Sequence, residues 1–148
     1  MELLVTLAIL SVLATLVLPV AQVSFQRTKE NELRTSLREI RQAIDAYKHA
    51  YDEGRIRHEI DSTGYPKTLD QLVDGVEDQR DPKRNKMYFL RRLPRDPFDL
   101  QADRPAADSW GKRSYASDAS NPAEGDDVYD VHSMSDKLGL NNIPYKKW

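Results

Sequence analysis

The chain has 148 residues, with 22 basic and 24 acidic side chains, 39% hydrophobic residues and no cysteine. That length allows one modest domain. A net charge of −2 argues against nucleic-acid binding as its main role, because phosphate neutralisation needs a basic excess on one face. The lack of cysteine excludes a disulfide framework, a thiolate metal site and a cysteine nucleophile. Charge is spread very unevenly: none falls between Glu2 and Arg27, and the rest lies from Arg27 onward.

The run Leu3–Ala21 is interrupted only by Thr6, Ser11, Thr15 and Pro19, and the chain stays uncharged through Gln26. A helix needs about 20 such residues to cross a bilayer. Twelve of them are Leu, Ile or Val, each favouring insertion by roughly 0.3–0.6 kcal/mol at mid-bilayer. A cleaved signal peptide is the first alternative, but there is no basic n-region, the run is long for an h-region, and no clear A-x-A site follows. A buried core helix is the second, but so polar a domain could hardly cover 24 uncharged residues. The run therefore predicts a retained membrane helix.

Two of its residues need a reason. Glu2 heads an otherwise apolar helix, and a carboxylate carried to mid-bilayer costs about 2.5–3.5 kcal/mol. It either stays solvated among headgroups or finds a cation, an N-terminal ammonium or Lys of another copy, inside a helical bundle. Pro19 lacks an N–H, so the Thr15 carbonyl loses its partner and the helix should kink or loosen there. The positive-inside rule would make Arg27, Lys29, Arg34, Arg38 and Arg41 cytoplasmic. Either the head is cytoplasmic, or a basic leader precedes Met1.

No proline or glycine occurs from Gln26 to Glu53, and Gly54 supplies a stop. Leu33, Leu37, Ile40, Ile44, Tyr47 and Tyr51 recur at alternating intervals of four and three, which places them on one stripe of a helix. Three parts are predicted: residues 1–26 as the membrane half of a long helix, 27–54 as its amphipathic half, and 55–148 as a small head. A stripe this short suits the seat of the chain's own head better than a coiled-coil seam.

Within the head, Thr68-Leu-Asp-Gln71 reads as a capping box, predicting a helix over about Leu69–Val73 with Leu69, Leu72 and Val73 inward. Asp78–Lys86 reads as a charged, solvated loop, Met87–Leu90 as a short apolar run, and Leu93–Pro97 as turn chemistry. Gln101–Ser109 reads as an excursion. Lys112–Ser117 and Val128–Ser133 read as strands, and Met134–Trp148 as an irregular tail. So small a core must lean on the Leu33–Tyr51 stripe. The fold class is α+β: one long helix against a small antiparallel sheet.

No catalytic motif emerges. His49, His58 and His132 are dispersed and read as surface or packing residues, since metal ligands should converge. Asp126, Asp127, Asp130 and Asp136 cluster late in the chain, where oxygen ligands could serve Ca²⁺, although the spacing is not that of an EF-hand.

The segment Glu2–Ala14 (ELLVTLAILSVLA), with Pro19 and the unbroken amphipathic continuation, strongly resembles the mature start of type IV pilin-like proteins. In that family a leader ends in Gly, followed by an N-methylated Phe, two residues, a variable apolar residue and the Glu. Met1 fits the variable position, so a leader and three mature residues are expected upstream. The head looks most like the major (G-type) pseudopilin of type II secretion. Tyr65-Pro66-Lys67-Thr68 is similar to its Y-P-x-T segment. Leu93-Pro94-Arg95-Asp96-Pro97 and Trp110-Gly111-Lys112-Arg113-Ser114-Tyr115 resemble its L-P-x-D-P-W-G-x-x-Y block, split here at Phe98–Ser109. Tyr129-Asp130-Val131-His132-Ser133, Asp136 and Trp148 resemble its Y-D-x-x-S…D…W ending.

The resemblance implies a single-pass inner-membrane subunit with a periplasmic head. Such subunits are matured by a prepilin peptidase and extracted by an inner-membrane assembly platform and secretion ATPase. They polymerise with copies of themselves and with minor pseudopilins into a periplasmic filament that drives protein export. Glu2 would pair with a neighbour's N-terminal amine, and Pro19 would mark the stretch that loosens on assembly. The absence of Cys favours a pseudopilin over pilins closed by a disulfide. The other expectations left open are a type IV pilin of an adhesive or motile surface filament, and a monomeric membrane-tethered binding module. Family members bind Ca²⁺ through an acidic pair in the C-terminal loop. Here Asp136 matches one acid, but Leu138–Lys147 holds no Asp or Glu, leaving Asn141 or Asn142 as a weaker oxygen ligand. The candidate set is Ser133, Asp136 and Asn142.

Overall fold

A computed structural model describes residues 2–148, with the side chains of residues 16–19 excepted. The expectations placed on Met1 and on the Pro19 side chain lie outside what is described.

Helix α1 spans Glu2–Asp52, 51 residues, or about 77 Å at 1.5 Å per residue. It ends where the sequence predicts. The Gly54 N–H donates to the Tyr51 carbonyl and the Arg55 N–H to the Ala50 carbonyl, both at 2.9 Å. This is a Schellman closure, with Gly54 in the left-handed region at φ 72°. Such a φ would burden a residue bearing a Cβ.

The two halves of α1 live in different surroundings. In the first half Leu3, Leu4, Leu7, Leu10 and Leu13 are all exposed, and among the described residues none covers them. In the second half Leu33, Leu37, Ile40, Ile44 and Tyr47 are buried and Tyr51 is half-buried. The predicted stripe is therefore the seat of the head.

Short elements pack on that seat. Helix α2 covers Asp70–Asp74 and buries Leu72, with Leu69 just ahead of it. The capping box does not form: Leu69 already has helical angles and no side chain caps the turn. The Gln71 carboxamide instead accepts from the Lys67 N–H at 2.8 Å, one residue earlier than a Thr68 cap would place it. Strands β1 (Val76–Glu77) and β2 (Lys86–Met87) form an antiparallel hairpin whose connection is the predicted charged loop, exposed to solvent except at Asp78 and Asp81. Asp78 is buried at its root because the Arg55 guanidinium donates to it at 2.6 and 3.0 Å.

Strand β3 spans Trp110–Arg113 and pairs antiparallel with β4, Asp130–Ser133, in the register Trp110↔Ser133 to Arg113↔Asp130. The predicted strand Lys112–Ser117 is thus two residues late at its start and four at its end. Gly111 reads as a breaker, but it sits opposite His132, whose ring lies so close that a Cβ would come within 2.2 Å of it. Beyond Arg113, Ser114 donates to the Ala123 carbonyl at 3.0 Å, which takes the chain out of the sheet. In β4, Val131 and Ser133 point into the core and Asp130 and His132 are half-buried. Val128, the first residue of the predicted strand, precedes β4 and is buried.

The excursion ends in a 3-10 turn, Ala106–Ser109. The tail is more ordered than predicted. A Leu138↔Pro144 bridge, with Gly139 and Ile143 joined at 2.9 Å, leads to a 3-10 turn at Tyr145–Lys147. Leu33, Ile40 and Ile44 of α1 form the core with Leu69, Leu72, Trp110, Val131 and Tyr145. Among the described residues no buried side-chain polar atom lacks a hydrogen-bond partner.

Candidate functional site

The uncovered half of α1 is one candidate. Glu2 stands in its first turn. The hydroxyls that interrupt the apolar run are spent on their own helix. Thr6 Oγ1 donates to the Leu3 and Glu2 carbonyls at 3.0 and 3.1 Å, Ser11 Oγ to Leu7 at 2.5 Å, and Thr15 Oγ1 to Val12 at 2.7 Å. A hydroxyl satisfied this way costs little in hydrocarbon. Over an 18-residue window the mean hydropathy is 2.7. The helix is long and apolar enough to span a membrane, which is consistent with single-pass anchoring.

At the base of the head the tail folds back onto α1. Glu30 is 7% exposed. Its Oε1 accepts from the Leu140 N–H at 2.8 Å, the Tyr145 hydroxyl at 2.9 Å and Gln26 Nε2 at 3.2 Å. Gln26 Nε2 also reaches the Leu138 carbonyl at 3.2 Å and the Tyr145 hydroxyl at 2.9 Å. Higher up, Arg41 donates to Asp130 Oδ1 at 2.8 Å and to the main-chain oxygens of Trp148 and Val131 at 2.9 and 3.1 Å. The Arg34 guanidinium lies 4.5 Å from the Trp148 ring centroid. The sequence reading singled out neither Gln26 nor Glu30. The signal was there: both continue the four-three spacing of the stripe backwards from Leu33.

Several residues that carry the resemblance meet in one buried network. Asp96 Oδ2 accepts from Ser133 Oγ at 2.6 Å, and Asp96 Oδ1 from the Phe98 N–H at 2.8 Å. Ser109 Oγ accepts from the Asp96 N–H at 3.1 Å, and Trp110 Nε1 donates to the Pro94 carbonyl at 2.8 Å. The Leu93–Pro97 turn is thus tied to both β3 and β4 although residues 98–109 intervene in sequence.

The late aspartates do not converge. Asp127 accepts from Thr63 and from the Tyr115 N–H, Asp130 pairs with Arg41 and Arg113, and Asp136 pairs with Lys146 at 2.5 Å. In the candidate calcium set, Ser133 is fully buried and its hydroxyl donates to Asp96. Asp136 is exposed at the surface with the Lys146 ammonium against it. Asn142 occupies the tail's tight turn at φ 60°, a conformation that asparagine tolerates. Ca²⁺ takes six to eight oxygens, and one carboxylate held by an ammonium, with a hydroxyl committed elsewhere, does not fit that demand. Of the histidines, His49 lies 3.2 Å from Glu53, His58 stacks on Tyr51 at 4.1 Å, and His132 reaches the Ser133 carbonyl. Each is engaged locally.

Comparison with protein-family models, curated proteins and solved structures finds no match for this chain. The layout alone speaks. A long apolar N-terminal helix carrying a small antiparallel head is compatible with a pilin-like fold.

The charges of the head set its response to pH. Hydrogen bonds from Arg55 hold the Asp78 carboxyl below its ordinary value, and those from Arg104, helped by Arg95, do the same for Asp99. Stability from such pairs is complete above the unfolded carboxylate range, about pH 4, and is lost as pH falls through the depressed values. Burial raises the Tyr145 phenol, opposed by the Gln26 hydrogen bond and reinforced by Glu30. Burial also raises Tyr47. These contributions are complete below about pH 10 and are lost as pH rises through the raised values. The melting temperature of the head should therefore be level near neutrality and fall at both extremes. Arg55→Met should blunt the acid limb, and thermal melts across pH would show an unchanged limb if the pair were idle.

Proposed function

We propose that this chain is a structural subunit of a filament, and specifically a pseudopilin that polymerises in the periplasm to drive protein export by a type II secretion system. The observation that carries the reading is the uncovered half of α1, uncharged from Leu3 to Gln26 and headed by one carboxylate. A helix that nothing in its own chain covers needs either lipid or sister helices around it. Glu2 distinguishes the two: in lipid it costs about 2.5–3.5 kcal/mol at depth, whereas in a bundle a neighbour's ammonium can neutralise it. The resemblance of Glu2–Ala14 to the mature start of pilin-like proteins supports the same choice. The rigid, capped second half would carry each head at a fixed height outside the bundle.

On this reading Glu2→Ala inserts into the membrane normally and fails to assemble. The chain has no cysteine, so two cysteines introduced on different faces of the helix within residues 3–15 can link each subunit to two neighbours without background. In cells that make the secretion machinery, such cysteines should give a ladder of cross-linked multimers that Glu2→Ala abolishes. The ladder should also vanish in a strain lacking the secretion ATPase, which separates a pseudopilus from a pilus driven by another motor. A ladder of undiminished length in Glu2→Ala would overturn the role given to this carboxylate.

A further inference from the structure

We infer that the base of the head is a second membrane contact, an apolar rim that rests on the bilayer surface around the point where α1 emerges. The inference rests on the N-terminal half of α1 lying in a bilayer and is independent of whether the chain polymerises.

Depth is fixed by the helix. A hydrocarbon core of about 30 Å takes about 20 residues, so a span starting at Leu3 reaches the interface near Val23. Gln26 and Glu30 follow at about 5 and 10 Å beyond it, within or just above the headgroup layer. These are the two residues that hold the tail, Gln26 at the Leu138 carbonyl and Glu30 at the Leu140 N–H. The hydrogen bonds therefore set Leu138 and Leu140 at the membrane surface, and both side chains are exposed, by 55% and 42%.

A third segment reaches the same level. The Lys29 ammonium lies 5.2 Å from the Phe25 ring centroid and 5.8 Å from that of Phe98. Phe98 stacks on Tyr145 at 4.0 Å, and its loop continues to Leu100, 83% exposed. Apolar side chains from α1, the 98–104 loop and the tail thus gather uncovered at one end of the head, beside the exit of the apolar helix. Aqueous solvent is a poor destination for such a rim, and it is continuous with a surface that already belongs in lipid. The charge agrees with an anionic leaflet: Arg27 and Lys29 follow Phe25 on α1, and Lys137 directly precedes Leu138 in the tail. Apolar insertion beside basic residues is how peripheral segments bind such surfaces.

The test uses the full chain in vesicles of phosphatidylcholine and phosphatidylglycerol at a low protein-to-lipid ratio. Single variants Leu10→Cys, Leu140→Cys and Tyr88→Cys carry an environment-sensitive fluorophore, and nitroxide-labelled lipids act as quenchers. Tyr88 is exposed in the head next to β2, towards the Tyr47–Tyr51 end of α1. Lipid quenchers should remove most of the emission at positions 10 and 140 and leave position 88 bright. Emission at 140 as bright as at 88, with 10 quenched, would mean that the head stands clear of the bilayer and would overturn the inference. An unquenched position 10 would overturn the membrane span itself and the inference with it. A blue shift at 140 that lipid does not quench, and that grows with the protein-to-lipid ratio, would assign the rim to a second copy and overturn it as well.

Discussion

Trp110→Ala is expected to cost the head about 3–5 kcal/mol, a large share of the 5–15 kcal/mol that typically separates folded from unfolded domains. Trp110 is 1% exposed and stands in the core with Val131 and Tyr145. Truncation removes the indole from a close-packed site and leaves a cavity that short strands anchored at both ends cannot collapse to fill. It also removes the partner of the Pro94 carbonyl, which the indole N–H holds at 2.8 Å. Trp110→Phe separates the two effects: most of the bulk stays and the carbonyl goes unpaired, for a loss of about 1–3 kcal/mol. Thermal melts of the full chain in detergent, read by near-ultraviolet circular dichroism, measure both. A loss below about 1 kcal/mol for the alanine variant would mean that this site repacks as core sites seldom do, and the account of Trp110 as a keystone of the core would be wrong.

Glu30→Ala should release the tail while leaving the rest of the head folded. Three donors converge on this carboxylate, from Leu140, Tyr145 and Gln26. Hydrogen bonds to a charged acceptor are worth about 1.5–3 kcal/mol each, but they share one oxygen and do not add. A net cost of about 3 kcal/mol follows, because Leu140 N–H and Tyr145 O–H would be left to seek water. Hydrogen exchange reads this directly. The Leu140 amide should exchange on the order of 100-fold faster, with residues 137–147 following, while Leu72 and Val131 keep their protection. Glu30→Gln retains an acceptor oxygen and should show a much smaller effect. Unchanged protection at Leu140 in the alanine variant would remove Glu30 from the tail contact altogether.

The long helix was legible because two strong signals do not compete. The absence of charge between Glu2 and Arg27 marks the uncovered half, the four-three spacing from Leu33 to Tyr51 marks the covered half, and Gly54 provides the left-handed stop of the long helix. What the sequence concealed was polar burial. Asp78 lies in a run of charges and reads as solvent-facing, yet Arg55, 23 residues away, brings it inside. Glu30 looks like any charge on an amphipathic helix until the stripe is extrapolated backwards. The strands slipped for a related reason: Gly111 resembles a turn residue, and only its cross-strand neighbour His132 shows that the missing Cβ is needed inside the sheet. Local pattern does not contain such pairings, because their partners arrive from far along the chain. The exposure of the apolar half was legible; what surrounds it in a cell was not, since lipid and sister helices ask the same thing of a side chain.

The closing of the tail on Gln26 and Glu30 has a consequence in time. Tyr145 meets Gln26 across 119 positions of sequence, so Gln26 is synthesised well before the partner it waits for. Contacts of such separation form slowly, and until residues 138–148 emerge, the Glu30 carboxylate and the lower end of the stripe lie open to solvent. Each molecule therefore passes through an unfinished stage, in which α1 is complete and the floor of the head is still missing.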